Sequence, residues 1–234
     1  MSDEDNIAPK TRIAFVIDDW GYNKKNLDLL SQIDRPITIA ILPNLFYSKE
    51  IALFASSNDK IDSILHLPLE SKSGRAEEKY TIKEKMDNDE IIGILNNDIK
   101  NIPGVIGVSN HQGSKATENK KVMTVILSEL KKKDLFFLDS LTTSDSVCLE
   151  VAKGIDLKYT GRDVFLDITD QTDLENFEDY VRKQINELIK IALEKGVAVG
   201  VGHNKKTTLE VIRDSIEDME SQGIEIVPLK EMIE

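Results

Sequence analysis

An α/β fold, a single irregular (β/α) barrel, is the class this chain predicts, and three observations carry the prediction. Strand-like and helix-like stretches alternate from one end to the other. The strand-like runs are continuously apolar, which reads as strands buried on both faces, as in parallel sheets covered by helices. No Pro/Gly/Ser-rich linker and no sequence repeat divides them. A length of 234 residues suits one such domain. Residues 1–11 read as a polar, poorly ordered lead and 12–234 as the domain. An open doubly wound sheet is the second choice.

Each element follows from a local pattern. Ile13 to Ile17 is an unbroken apolar run that meets Asp18, Asp19, Trp20 and Gly21, where the chain turns. Side chains alternate along a strand, so Asp18 and Asp19 cannot both enter its core and are expected at its carboxyl end. Asn23 is the candidate cap of a helix carrying Leu27, Leu29, Leu30 and Ile33. Pro36 to Leu42 is a second strand, Leu45 to Ser56 a second helix and Ile61 to Leu67 a third strand, which opens into His66-Leu67-Pro68-Leu69-Glu70. Residues 71–86 are polar and read as a long loop over one end of the fold. Asp89 to Ile99 has an apolar helical face at Ile91, Ile92, Leu95 and Ile99.

The second half repeats the alternation. Val105 to Val108 is a short strand leading to Ser109-Asn110-His111-Gln112-Gly113-Ser114, and a helix over about Asn119 to Lys132 ends in a basic turn that complements its dipole. Leu135 to Leu138 is the next strand, closed by Asp139. Ser144 is the expected cap of a helix through Ala152. Residues 157–160 and 164–166 are short strands flanking Gly161-Arg162-Asp163. The longest helix runs from Leu174 to Glu194 and stops at Gly196. Val197 to Val201 is a buried strand opening into Gly202-His203-Asn204. Thr207 to Gln222 is helical, Ile224 to Val227 a last strand and Leu229 to Ile233 a closing helix.

Composition narrows the function. A formal charge of −12 argues against nucleic acid, whose phosphates want a basic footprint, and against an anionic membrane surface. No apolar run approaches the length of a membrane span. The single cysteine, Cys148, excludes an internal disulfide and a thiolate metal cluster and reads as a packed small hydrophobe. The acidic, polar start has no signal-peptide character as written. An extracytoplasmic location is expected if a signal peptide precedes the chain, a cytoplasmic one otherwise. Walker loops, Gly-x-Gly-x-x-Gly, Gly-x-Ser-x-Gly and His-Glu-x-x-His are absent.

What remains is a constellation. The chain has 3 histidines, and each lies at the carboxyl end of an expected strand: His66, His111 and His203. Asp18, Asp19 and Asp139 share that position. In a parallel sheet these groups converge on one face, where α/β proteins place their chemistry. Imidazole with carboxylate suits Zn²⁺, and an Asp-His-His set leaves a fourth position for water. A neighbouring carboxylate then serves as base, and the Asp18-Asp19 pair offers one ligand and one base. The residues alone leave open which of the histidines ligate.

The series Ile17-Asp18-Asp19-Trp20-Gly21, Ile41-Leu42-Pro43-Asn44, His66-Leu67-Pro68-Leu69-Glu70, Ser109-Asn110-His111-Gln112-Gly113-Ser114, Phe137-Leu138-Asp139-Ser140-Leu141-Thr142-Thr143, Gly161-Arg162-Asp163-Val164-Phe165-Leu166-Asp167 and Gly200-Val201-Gly202-His203 resembles the divergent polysaccharide deacetylases, over about residues 12–233. The resemblance implies a distorted (β/α) barrel with a divalent metal at its mouth, zinc the first choice. It implies Asp19, His66 and His111 as ligands, Asp18 as general base, Arg162 as the arginine positioning the catalytic carboxylate, and His203 as the acid for the leaving group. Asp139 is a candidate to orient a histidine. Two features depart from the family pattern: the ligand histidines come from separate strands and not from one His-Ser/Thr-x-x-x-His motif, and the proline expected after His203 is replaced within Asn204-Lys205-Lys206-Thr207.

The reading implied is a metal-dependent hydrolase removing acetyl groups from N- or O-acetylated oligo- or polysaccharide. The rivals are a decayed carbohydrate-binding or scaffold protein on the same fold, and a metal hydrolase of another amide or ester. Trp20, Tyr22, Phe46 and Tyr47 are candidates for a sugar-binding wall, or for packing under loops.

Overall fold

The apolar runs become strands of one parallel sheet. In the computed structural model, which describes residues 11–74, 76–169 and 176–233, the chain runs β1 (Thr11–Trp20), α1 (Leu27–Ser31), β2 (Ile37–Ile41), α2 (Ser48–Ser56), β3 (Ile61–Leu69), α3 (Asn88–Asn101), β4 (Gly107–Gln112), α4 (Lys120–Lys132), β5 (Phe136–Asp139), α5 (Cys148–Ile155), β6 (Tyr159–Gly161), β7 (Val164–Phe165), α6 (Phe177–Lys195), β8 (Val197–His203), α7 (Lys206–Ser221) and β9 (Ile224–Ile226). The lead expected over 1–11 lies outside the described residues except for Thr11, which opens β1, and Leu174 of the expected longest helix lies outside them too.

The sheet order is β6-β5-β4-β3-β2-β1-β8-β7, with β9 added to the start of β1. The two ends of this order are consecutive in the chain. Arg162 N–H donates to Asp139 O of β5 at 3.0 Å, and Asp163 N–H donates to Val199 O of β8 at 2.9 Å. A two-residue step therefore joins the edges, and the sheet must curl round on itself. The irregular barrel is closed there by the covalent chain and not by a β6–β7 ladder.

Period-two alternation sorts every strand into an inner and an outer face. Ala14 and Val16 of β1, Ala40 of β2, Ile64 of β3, Phe136 and Leu138 of β5, and Val199 and Val201 of β8 pack together inside the barrel, with Val227, Leu229 and Met232 against them. Ile13, Phe15, Ile17, Leu65, Leu67 and Phe137 point outward into the larger core under the helices. Each fully buried side chain of this size stabilises the fold by about 1.5–3 kcal/mol. The barrel is narrow enough that β4 uses Gly107 opposite Phe136: a Cβ on Gly107 would overlap the Phe136 ring. Gly107→Ala is expected to cost about 1–3 kcal/mol by overpacking, read as a lower urea midpoint at unchanged m-value.

Some boundaries differ from expectation for local reasons. Asn23 does not cap a helix; its Oδ1 accepts from Lys25 N–H at 3.1 Å in a turn, and α1 starts later. The helix expected from Ser144 begins at Cys148, after Ser146 has given its hydroxyl to Asp139. The 71–86 loop is tied to the sheet: Ile82 pairs with Leu69, and Lys115 bridges Glu70 and Glu84 at 2.9 and 2.8 Å. The closing helix is a short 3₁₀ turn, Leu229–Met232.

Candidate active site

Continuing the inner-face alternation past the apolar layers leads to the site. Asp18 follows Val16 by two residues, His66 follows Ile64, and His203 follows Val201. Asp18 and His203 are paired residues on neighbouring strands, so the strand spacing of about 4.8 Å sets them side by side at the barrel mouth. His66 pairs with Ser109 across β3 and β4, and its Nδ1 lies 2.8 Å from Ser109 Oγ. His111 stands two residues beyond Ser109, its ring edge-on to His66 with centroids 5.0 Å apart.

Asp19 reaches the same place by breaking the alternation. Ile17 pairs with Ile39 but Trp20 pairs with Ile41, so β1 holds one extra residue, a bulge. Asp19 absorbs it with φ 65°, a left-handed conformation that aspartate tolerates better than most residues. Strict alternation would turn Asp19 away from Asp18; the bulge resets the period, so both stand at the carboxyl end of the strand and line the cleft. Trp20 then returns to the outer core, fully buried.

The result is a cluster in which one atom each of Asp19, His66 and His111 lies within 4.8 Å of the others. Asp19 Oδ1 is 3.1 Å from His111 Nδ1 and 3.4 Å from His66 Nε2, and His66 Nε2 is 3.6 Å from Asp18 Oδ2. Yet among the described residues Asp19 Oδ1 and Asp18 Oδ1 are buried and accept no well-formed hydrogen bond. Lone pairs that converge without directed hydrogen bonds are what a divalent cation needs, and an imidazole–carboxylate donor set suits zinc. The residues present therefore fit the metal that the resemblance implies. Ser109 holding Nδ1 of His66 fixes the ring with Nε2 toward the cluster.

The two carboxylates have opposite electrostatics. Burial pushes the Asp18 carboxyl above its ordinary range, and His66 and His203 only partly offset this. Asp19 is also raised by burial, but His111 and His66 outweigh it and hold the group well below the usual carboxylate range. Two adjacent aspartates thus have pKa values pushed apart, the one raised and the other lowered.

His203 is oriented by a residue that sequence reasoning did not assign. Asp167 Oδ1 lies 2.6 Å from His203 Nδ1, and Asp167 Oδ2 accepts from His203 N–H at 2.9 Å and from Thr208 Oγ1 at 2.7 Å. Burial favours a neutral His203, but Asp167 outweighs it and raises the imidazole pKa. In the structure Asp167 follows the inner-facing Phe165 by two residues, which brings its carboxylate to the mouth.

The structure places two further candidates away from the cluster's hydrogen bonds. Asp139 orients no histidine. It follows the outward-facing Phe137 by two residues, so it points to the helix side, where Leu141 N–H, Ser146 Oγ and Tyr159 OH bind it at 2.9, 2.6 and 3.3 Å. Arg162 makes no hydrogen bond to Asp18 among the described residues, although Asp18 is one of the carboxylates near enough to act on its guanidinium. Among the described residues its guanidinium donates to Ser140 O and Leu141 O at 2.8 and 3.0 Å and stacks 3.7 Å over the Phe165 ring. It shapes the rim of the cleft, which Asn110, Gln112, Ser140, Thr142, Phe165 and Ile168 line beside the cluster. Of the aromatic candidates, Tyr47 packs on the core, while Tyr22 and the largely exposed Phe46 remain free of it.

Comparison with known proteins gives the fold type and the family. A relative from Escherichia coli, the uncharacterized protein YibQ, is 33% identical over 205 residues, 88% of this chain and 62% of its own length. The chain thus spans less than two thirds of that relative. An uncharacterized protein from Agrobacterium tumefaciens superposes with a TM-score of 0.86 at 22% identity over 96% of this chain and 90% of its own. The catalytic domain of a peptidoglycan N-acetylglucosamine deacetylase from Eubacterium rectale gives 0.58 at 15% identity over 94% and 88%. A pseudoenzyme of the CE4 family from Bacillus anthracis gives 0.50 at 16% over 96% and 66%. These likenesses establish the deacetylase-type (β/α) barrel. Residues 15–233, nearly the whole described chain, match the divergent polysaccharide deacetylases, and the chain belongs to that family.

Proposed function

We propose that the protein is a metal-dependent hydrolase that removes acetyl groups from N- or O-acetylated sugars of a polysaccharide or peptidoglycan. The observation that supports it most is the convergence of Asp19, His66 and His111 beside the paired Asp18 and His203. Asp19 Oδ1, His66 Nε2 and a nitrogen of His111 would hold the metal. When bound, such a cation lowers the pKa of its water and polarises a carbonyl. Asp18, buried and with a raised pKa, takes a proton from the attacking water. His203, its imidazole pKa raised by Asp167, gives one to the departing nitrogen or oxygen. The low-dielectric pocket strengthens each of these interactions.

The decayed-binder reading would have tolerated loss of one of these groups, and all of them are present. Elemental analysis of protein purified without chelators tests the choice, together with acetate release from acetylated chito-oligosaccharide and peptidoglycan. About one equivalent of metal, lost in His66→Ala/His111→Ala, with acetate released, is expected. No metal after added Zn²⁺, Co²⁺ or Ni²⁺, and no acetate, would overturn it. Ser109→Ala should lower metal affinity about 10–100-fold without unfolding the chain, measured by chelator competition, because it frees the His66 ring.

A further inference from the structure

His66 and His203 each have a side chain that holds the ring, whereas His111 depends on its backbone. His66 Nδ1 lies 2.8 Å from Ser109 Oγ, and His203 Nδ1 lies 2.6 Å from Asp167 Oδ1. His111 turns Nδ1 to Asp19, and its Nε2 lies 3.4 Å from the amide nitrogen of Gln112. On the β3 side the ladder runs past His111, to the Leu69–Gln112 pair. On the β5 side the register ends at Ser109 and Leu138, two residues before it. The chain then leaves the strand through two successive left-handed residues, Gln112 at φ 54° and Gly113 at φ 89°. Glycine adopts that conformation freely, but glutamine does so against its Cβ. Such a turn persists only where its surroundings hold it.

Asn110 supplies that hold. It stands between Ser109 and His111, is 1% exposed and uses both ends of its amide. Its Nδ2 donates to Gln112 O at 2.8 Å, and its Oδ1 accepts from Ser140 N–H at 2.8 Å. Both partners are backbone groups of fixed character, so the amide has one orientation. The second bond carries the β4–β5 link beyond the last registered pair. Gln112 O takes another donor from the loop after β5, Thr142 Oγ1 at 2.9 Å. Ser140 O in turn accepts from Arg162 Nε at 2.8 Å, and Arg162 stacks over Phe165 at the cleft rim. A single buried amide thereby ties the turn after His111 to the loop that shapes the cleft. An aspartate could not donate and a leucine could do neither, so the position calls for an amide.

We infer that Asn110 is a positioning residue for His111: with Thr142 it holds Gln112 O, fixes the left-handed turn, and so presents the His111 ring to Asp19. What the ring is presented for rests on the metal-dependent reading, but its placement can be measured without metal. The rings of His66 and His111 have centroids 5.0 Å apart, close enough for a nuclear Overhauser effect (NOE) between them. The chain has 3 histidines, so His111→Ala assigns the signals. In chelator-treated protein this NOE is expected in wild type and Thr142→Ser, and lost or strongly weakened in Asn110→Ala. Zinc affinity, by chelator competition, should fall about 10–100-fold in Asn110→Ala. It should fall about 2–10-fold in Thr142→Val and stay near wild type in Thr142→Ser. A purely structural role would lower the urea midpoint and leave the NOE intact in folded molecules. An undiminished NOE in folded Asn110→Ala, or unchanged zinc affinity, would overturn the proposal. Thr142 is partly buried at the rim, so its two variants decide if Asn110→Ala does not fold. Equal NOE and affinity in Thr142→Val and Thr142→Ser would then overturn it. A wild type that shows the NOE but binds no zinc would count against the metal-dependent hydrolase, and the NOE alone would then decide the placement.

Discussion

Asp18→Asn should retain its metal and lose turnover about 10²–10⁴-fold, whereas Asp19→Asn and His111→Ala should lose the metal itself. The two aspartates are neighbours in sequence, and the difference comes from what each carboxylate faces. Asp19 Oδ1 sits between His111 Nδ1 at 3.1 Å and His66 Nε2 at 3.4 Å, so removing its charge takes away the anionic member of the ligand set. Asp18 lies one step back, its Oδ2 3.6 Å from His66 Nε2 and its backbone paired with His203. Its raised pKa is a property of burial and makes it a better base than an exposed aspartate. Metal content and acetate release, measured on the same preparations, separate the roles. An Asp18→Asn protein that purifies empty would reverse the assignment of the pair.

The fold was readable because strands buried on both faces advertise themselves as unbroken apolar runs, and the glycines, prolines and aspartates between them mark where they end. The same property hid the orientation of β5. In Phe136-Phe137-Leu138-Asp139 every residue is buried, so nothing in the run says which face is inside the barrel. Asp139 was placed at the mouth on strand position alone, and the parity with Phe137 sends it to the helices instead. Asp167 was missed for the complementary reason: β7 is only Val164–Phe165, too short to show a period. The bulge at Asp19 is not encoded by any pattern of hydrophobicity. Its one trace is an adjacent Asp-Asp at a strand end, since aspartate accepts a left-handed backbone.

Asp167→Asn should lower kcat and move the alkaline limb of the pH–rate profile to lower pH. Two opposing influences set the His203 pKa: burial favours the neutral ring, and the Asp167 carboxylate, 2.6 Å from Nδ1, more than reverses it. Removing the charge leaves the burial, so the imidazole loses its proton earlier as pH rises and the acid form disappears at a lower pH. A charged hydrogen bond of this kind contributes about 1.5–3 kcal/mol, so kcat should fall about 10–100-fold at a pH on the plateau. Stability should change with pH in a matching way. Asp167 has a lowered pKa in the fold, so its contribution is present above its unfolded value of about 3.9 and fades as pH falls through the folded one. His203 has a raised pKa, so its contribution is complete below about 6.5 and fades as pH rises through the folded value. The substitution is therefore most costly between about pH 4 and 6.5, and the penalty shrinks in alkaline buffer, where Asp167 faces a neutral imidazole and keeps its bonds from Thr208 and the His203 backbone beside the Lys205 ammonium. Urea midpoints of wild type and Asp167→Asn across that range check the stability claim. A pH–rate profile that keeps its alkaline limb in place would mean that His203 is not the group whose proton is spent.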